Sequence, residues 1–160
     1  MLRVVALLGS LAIVLALPAT ASEAAAAKSV TIRVLVIRVT RSVKDVPPKT
    51  ITLGQFSKGD TITTNDVLRN AVPQFGRAKG ARVGTGHGVT IVLSSSRAKS
   101  DGIARFPGGS VHTHGVGKIG PTARVAVVGG TGIYAGATGV AEFSHLASGT
   151  TQSVIRLNVP

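Results

Sequence analysis

The chain has 160 residues, with 18 Lys and Arg against 6 Asp and Glu, and no cysteine. That length suits one domain with one core, and the lack of thiols excludes disulfide staples, cysteine metal centres and thiol nucleophiles. The positive charge favours anionic surfaces, but the basic residues are scattered and only four Phe and one Tyr are available as stacking platforms, so no nucleic-acid partner is expected.

The N-terminus reads as a targeting segment. Arg3 supplies a positive start, Val4 to Leu17 is an apolar run, and Ala19-Thr20-Ala21 is an A-x-A cleavage site. Residues 1–21 are therefore expected to be a signal peptide cleaved near Ala21. The product would be a secreted, extracellular protein with no transmembrane anchor left after cleavage, because the apolar run is short for a bilayer span. Residues 22–29 are expected to be a disordered leader and residues 30–160 the folded domain.

Beyond the leader the composition is that of an all-β protein, rich in Val, Ile and Thr, with 20 glycines. Strands are expected at Val30 to Arg41, Thr50 to Leu53, Thr61 to Asn65, Ala81 to Gly84 and Gly88 to Ser95. Further strands are expected at Gly102 to Phe106, Ser110 to Val116, Ala123 to Val128, Gly139 to His145 and Gln152 to Val159, with some of these merging. Val46-Pro47-Pro48 ends the first, since proline donates nothing to a ladder. Thr63-Thr64-Asn65-Asp66 has the composition of a cap for a helical turn over Val67, Leu68 and Arg69. Eight to ten short strands at this spacing suggest a closed antiparallel barrel or a sandwich. Several strands are apolar on both faces, such as Val34 to Ile37 and Val125 to Val128. Such strands need cover on both sides, which points to homo-oligomerisation.

Val125 to Gly139 runs from an apolar strand into a glycine-rich loop. A dinucleotide site would need a following helix N-terminus and an acid about 20 residues on. Only 21 residues follow Gly139, they read as strands, and their only acid is Glu142. The glycines therefore serve a tight strand-to-strand connection.

That segment, Gly129-Gly130-Thr131-Gly132-Ile133-Tyr134-Ala135-Gly136-Ala137-Thr138-Gly139, resembles the signature of the dirigent and allene oxide cyclase-like barrels. Lys58 to Leu68 is similar to that family's Gly-Asp…Asn-Asp-x-Leu segment, and Gly76 to Gly80 to its Gly-x-x-x-Gly strand entry. The resemblance spans roughly Val30 to Pro160. It implies a closed antiparallel eight-stranded β-barrel of the calycin type, assembled as a homotrimer. The implied activity is steering the cyclisation or coupling of an apolar small molecule in the lumen. No cofactor is implied, and a separate oxidase would supply radicals where coupling needs them. Two departures stand out. Plant dirigent proteins carry an acid on the first strand and another before the glycine motif, where this chain has Ile37-Arg38-Val39-Thr40 and Gly117-Lys118-Ile119-Gly120.

The residues with chemistry are few. His112 and His114 are two apart on a strand and so share a face. As a metal pair they would need His87, His145 or Glu142 as third ligand, and the resemblance supplies no metal there. Asp60, His112, His114 and Glu142 are the candidate acid/base groups. Asp60 could equally accept backbone N–H bonds in a turn, and Glu142 is a candidate if the face it shares with Val140 and Ser144 is the lumen. Arg105, Arg124 and Tyr134 are candidate ligand-binding residues, with Tyr134 also able simply to pack the hairpin. The alternative to an enzyme is a non-catalytic cationic extracellular module that binds an anionic envelope.

Overall fold

The computed structural model describes residues 27–47 and 56–160. The expected signal peptide, most of the leader and the Thr50 to Leu53 strand lie outside them. Eight strands follow in chain order: β1 (Lys28–Lys44), β2 (Thr61–Asn70), β3 (Arg82–Ser94), β4 (Arg97–Phe106), β5 (Gly109–Lys118), β6 (Thr122–Gly132), β7 (Thr138–His145) and β8 (Thr151–Val159). Each pairs antiparallel with the next, and β1 pairs with β8, so the sheet is a closed barrel. Closure leaves no free sheet edge for intermolecular pairing.

The length of β1 makes closure possible. Its first half, Lys28 to Val36, pairs with β8, while Val34 to Lys44 pairs with β2. A β-branched run of this length stays extended over both neighbours. A bulge between Arg38 and Thr40 bends it at the crossover. The expected segments Ala81 to Gly84 and Gly88 to Ser95 are one strand. Gly84 and Gly88 stay inside β3 because their missing side chains allow close approach. A Cβ at Gly84 would meet the Arg105 carbonyl. The helical turn expected after Asp66 does not form: Asp66, Val67, Leu68 and Arg69 continue β2, paired on both sides. The capping composition is overridden by two ladders of backbone hydrogen bonds.

One end of the barrel is plugged. Leu68, Phe106, Val111, Val127, Tyr134 and Leu157 are buried there in one core with Ile32 and Ile155. Phe75 stacks on Phe106 with ring centroids 5.7 Å apart, and Tyr134 meets Phe106 edge-on at 6.3 Å. Phe75 holds a left-handed φ of 56°, an unfavourable conformation for an aromatic residue. The segment that carries it is pinned by Asn70, which is fully buried and whose amide donates to the carbonyls of Gln74, Arg77 and Ala78 at 2.8, 2.9 and 3.2 Å. The glycine-rich stretch closes the same end. Gly132 has a φ of +60°, and the turn after it delivers Tyr134 to the plug.

Candidate functional site: the barrel lumen

Above the plug, strand alternation divides each strand between lumen and exterior. The inward phase is set by bulky apolar residues that need burial: Val34 and Val36 on β1, Ile62 and Leu68 on β2, Val125 on β6, Phe143 on β7 and Ile155 on β8. With small and hydroxylated neighbours from β3, β4 and β5 they line a cavity of about 440 Å³ that opens at the end opposite the plug. Residues of all eight strands contribute to its wall. Hydroxyls dot the apolar wall at Thr64, Thr90, Ser100, Thr113, Thr151 and Ser153. Thr90 and Ser100 bond each other at 3.0 Å, and Thr151 bonds His145 Nδ1 at 2.8 Å.

The charged groups of the lumen gather toward its mouth. Arg38 and Arg41 line it, and Asp66 shares the inward phase of Thr64 and Leu68. Arg38 and Asp66 are direct partners in the β1–β2 ladder. The Arg38 Nε donates to Asp66 Oδ1 at 3.2 Å, with the Asp66 side chain 10% exposed. Thr64 Oγ1 stands 3.4 Å from the other carboxylate oxygen. The Arg41 guanidinium lies 5.2 Å from the centre of the Phe56 ring. Asp66, read from the sequence chiefly as a cap, stands here as a strand residue of inward phase. Its signal was present in the alternation Ile62, Thr64, Asp66, Leu68.

The residues singled out from sequence stand mostly elsewhere. Asp60 is buried beside the mouth, in the β1–β2 connection. Its carboxylate accepts the N–H of Val46 at 3.0 Å and of Ser57 at 2.7 Å. The Val46 N–H above all, then Ser57 and the Asp45 side chain, hold it below the usual carboxylate range against the opposing effect of desolvation. Its backbone carbonyl accepts from Val92 N at 2.9 Å, which ties the connection to β3.

His112 and His114 share a face, and it is the outer one, because Val111 and Thr113 point inward. His112 Nε2 bonds the buried Ser110 hydroxyl at 3.0 Å, which in turn bonds Thr131 at 2.8 Å. His114 Nδ1 bonds Asp101, which lowers the pKa of that carboxyl. His87 bonds Asn65, also on the outer face. Among the described residues no group of three or more His, Asp or Glu is placed to hold a metal ion.

Glu142 likewise faces outward, since Ala141 and Phe143 take the inward phase. Arg156 Nη1 reaches its Oε2 at 2.6 Å and Arg124 Nε its Oε1 at 3.6 Å. The Arg156 hydrogen bond, and then the charges of Arg156 and Arg124, keep its carboxyl below the usual range. Burial as a raised-pKa lumen acid is therefore not its situation. Arg124 and Arg105 are exposed on the exterior. Tyr134 is 2% exposed within the plug, its hydroxyl 3.4 Å from the Pro107 carbonyl, and burial raises its pKa. None of these three side chains lines the lumen cavity.

A family model described as "Dirigent-like protein" matches residues 33–160. A search of curated protein sequences finds no similar protein. Among solved structures, a pyocyanin demethylase superposes with a TM-score of 0.67 at 18% identity, covering 80% of this chain and 99% of its own. A pterocarpan synthase dirigent protein superposes with a TM-score of 0.64 at 17% identity, covering 83% of this chain and 89% of its own. A nonspecific heme-binding cyclase that catalyses a 4 + 2 cycloaddition during neoabyssomicin biosynthesis gives 0.64 at 16% identity, over 84% of this chain and 68% of its own. At these identities the likeness shows a shared fold.

Proposed function

Since the chain belongs to the dirigent-like protein family, we propose that it binds an apolar small molecule in its lumen and steers the stereochemistry of its cyclisation or coupling. The observation that carries this reading is the open, mainly apolar cavity of about 440 Å³ above a closed plug, a volume in the range of small-molecule sites. The chemistry such a site performs is mainly geometric. It holds one conformer of a reactive molecule, excludes water and brings the reacting atoms together. The neighbours whose names record a cycloaddition and a pterocarpan synthase support the class of reaction.

The lumen also offers one carboxylate. Plant dirigent proteins place an acid on the first strand, where this chain has Ile37-Arg38-Val39-Thr40. Here Asp66 lies directly across the ladder from Arg38, in the inward phase of β2. In this reading Asp66 accepts a proton from a reacting hydroxyl, while Arg38 orients the carboxylate and stabilises its charge. Where coupling requires radicals, a separate oxidase supplies them.

Residues 1–21 direct export in this account, and the working protein is a secreted homotrimer. The exposed apolar residues Val39 and Val128, 62% and 58% accessible on the outer face, support self-association. Light scattering gives the oligomeric state, and N-terminal sequencing of the exported protein gives the cleavage site. The catalytic reading is tested by oxidising a prochiral phenol with a one-electron oxidant in the presence of the protein. An enantiomeric excess that disappears when the lumen is filled supports it, and a racemic product at saturating protein contradicts it.

The excess of basic residues favours a second, non-catalytic role as a cationic module on an anionic envelope. Binding to anionic vesicles that falls steeply with salt would support that role.

A further inference from the structure

We propose that the lumen is built for an elongated amphiphile with a carboxylate at its outer end and a hydrogen-bonding group at its inner end. The proposal rests on the lumen-binding reading and names the class of ligand. Two independent features of the cavity carry it.

The first is charge at the mouth. Two guanidiniums, Arg38 and Arg41, line the cavity, while Asp66, in the inward phase of β2, is bonded to Arg38. Asp101 and His87 belong to the cavity wall, but their side chains bond His114 and Asn65 on the outer face. His145, at the rim, bonds Thr151. Asp45 and Asp60 lie in the adjoining connection, and the Asp60 carboxylate is taken up by its own backbone bonds. Among the inward side chains of the strands two guanidiniums therefore meet one carboxylate, beside an apolar interior that disfavours small hydrated ions. A planar guanidinium fork matches a carboxylate in shape and charge.

The second is a buried hydroxyl with nothing to bond. Ser153 is 2% exposed and lines the cavity. Its Oγ has no hydrogen-bond partner among the described residues. Buried hydroxyls are ordinarily satisfied, so this one is available to a ligand. Ser153 pairs with Val34 on β1, four residues before Arg38, a separation of about 13 Å along the strand. The apolar wall between them includes Val36, Leu68 and Phe143. A ligand that meets both ends needs a rigid apolar body of roughly that length.

Isothermal titration with three probes of one shape tests the proposal: 2-naphthylacetic acid, its uncharged primary amide, and 6-hydroxy-2-naphthylacetic acid. The acid is expected to bind about tenfold more tightly than the amide. That preference should disappear in the Arg38→Gln/Arg41→Gln double variant and persist in the exterior variant Arg124→Gln. The hydroxylated acid should gain affinity over the parent acid, and Ser153→Ala should abolish only that gain. Equal binding of acid and amide overturns the proposal while leaving the lumen reading intact. A preference lost equally in Arg124→Gln also overturns it, because it would then reflect general surface charge. A hydroxyl gain that survives Ser153→Ala overturns the inner contact. Failure of all three probes to bind overturns both the proposal and the lumen reading.

Discussion

Arg38 and Asp66 face each other across one rung of the β1–β2 ladder, Nε to Oδ1 at 3.2 Å, inside the barrel. The arginine is partly open to solvent, so the pair adds little stability, on the order of 1 kcal/mol or less. Its larger effect is on the lumen potential, because the carboxylate offsets one of two guanidiniums. Asp66→Asn should therefore leave the melting temperature nearly unchanged and raise affinity for 2-naphthylacetic acid by about three- to tenfold, the scale expected for a charge pair at partial exposure. Titration of the variant against wild type measures this. Weaker acid binding would show that the carboxylate holds Arg38 in its binding pose.

Leu157 is 1% exposed and belongs to the plug. Truncating it removes apolar contacts in a region that cannot collapse around the space. Leu157→Ala should cost about 2–5 kcal/mol in chemical denaturation. A loss below 1 kcal/mol would mean that the plug is not the stabilising core.

Gly132 combines a φ of +60° with a crowded approach, since a Cβ there would meet the Gly108 carbonyl. Gly132→Ala imposes backbone strain and a backbone clash together. A destabilisation of more than about 1 kcal/mol is expected, measured by thermal unfolding. Neutrality would show that the turn before Tyr134 tolerates another conformation.

Asp60 sets an acid-side dependence. Hydrogen bonds from Val46 and Ser57 depress its folded-state pKa below the ordinary value of 3.8. Its contribution to stability is therefore complete above that ordinary value and is lost as pH falls through the depressed folded-state value. Asp60→Asn should melt earlier than wild type at neutral pH, and the two curves should converge in strong acid. A gap that is constant with pH would show that the carboxylate charge is not what the connection uses.

The barrel was legible because its signals are local. β-Branched runs marked the strands, and the Gly129–Gly139 segment marked the hairpin that returns Tyr134 to the core. The phase of each strand was harder to read. Val140-Glu142-Ser144 and Ala141-Phe143-His145 are both acceptable inward faces until Phe143 is seen to have nowhere else to bury its ring. The same ambiguity hid the outward phase of His112 and His114, since Val111 and Thr113 are no clearer as a lumen pair. Asp66 was hidden by its neighbours, because Thr-Thr-Asn-Asp is capping composition wherever tertiary pairing does not override it. Asn70 gave no local sign at all. Its side-chain amide bonds only to the segment beyond β2, and only the folded chain shows that this segment closes the barrel.

The central claim is that the lumen takes up an apolar molecule, and filling the lumen tests it most directly. Ala104 lines the cavity from β4, and Ala104→Leu projects a larger side chain into it at a cost of about 1–3 kcal/mol. The measurement is the melting temperature of wild type and Ala104→Leu as a function of 2-naphthylacetic acid concentration. The account predicts that the wild-type melting temperature climbs with ligand by mass action while that of Ala104→Leu stays flat. Equal climbs in both proteins would place the binding site outside the lumen and contradict the account.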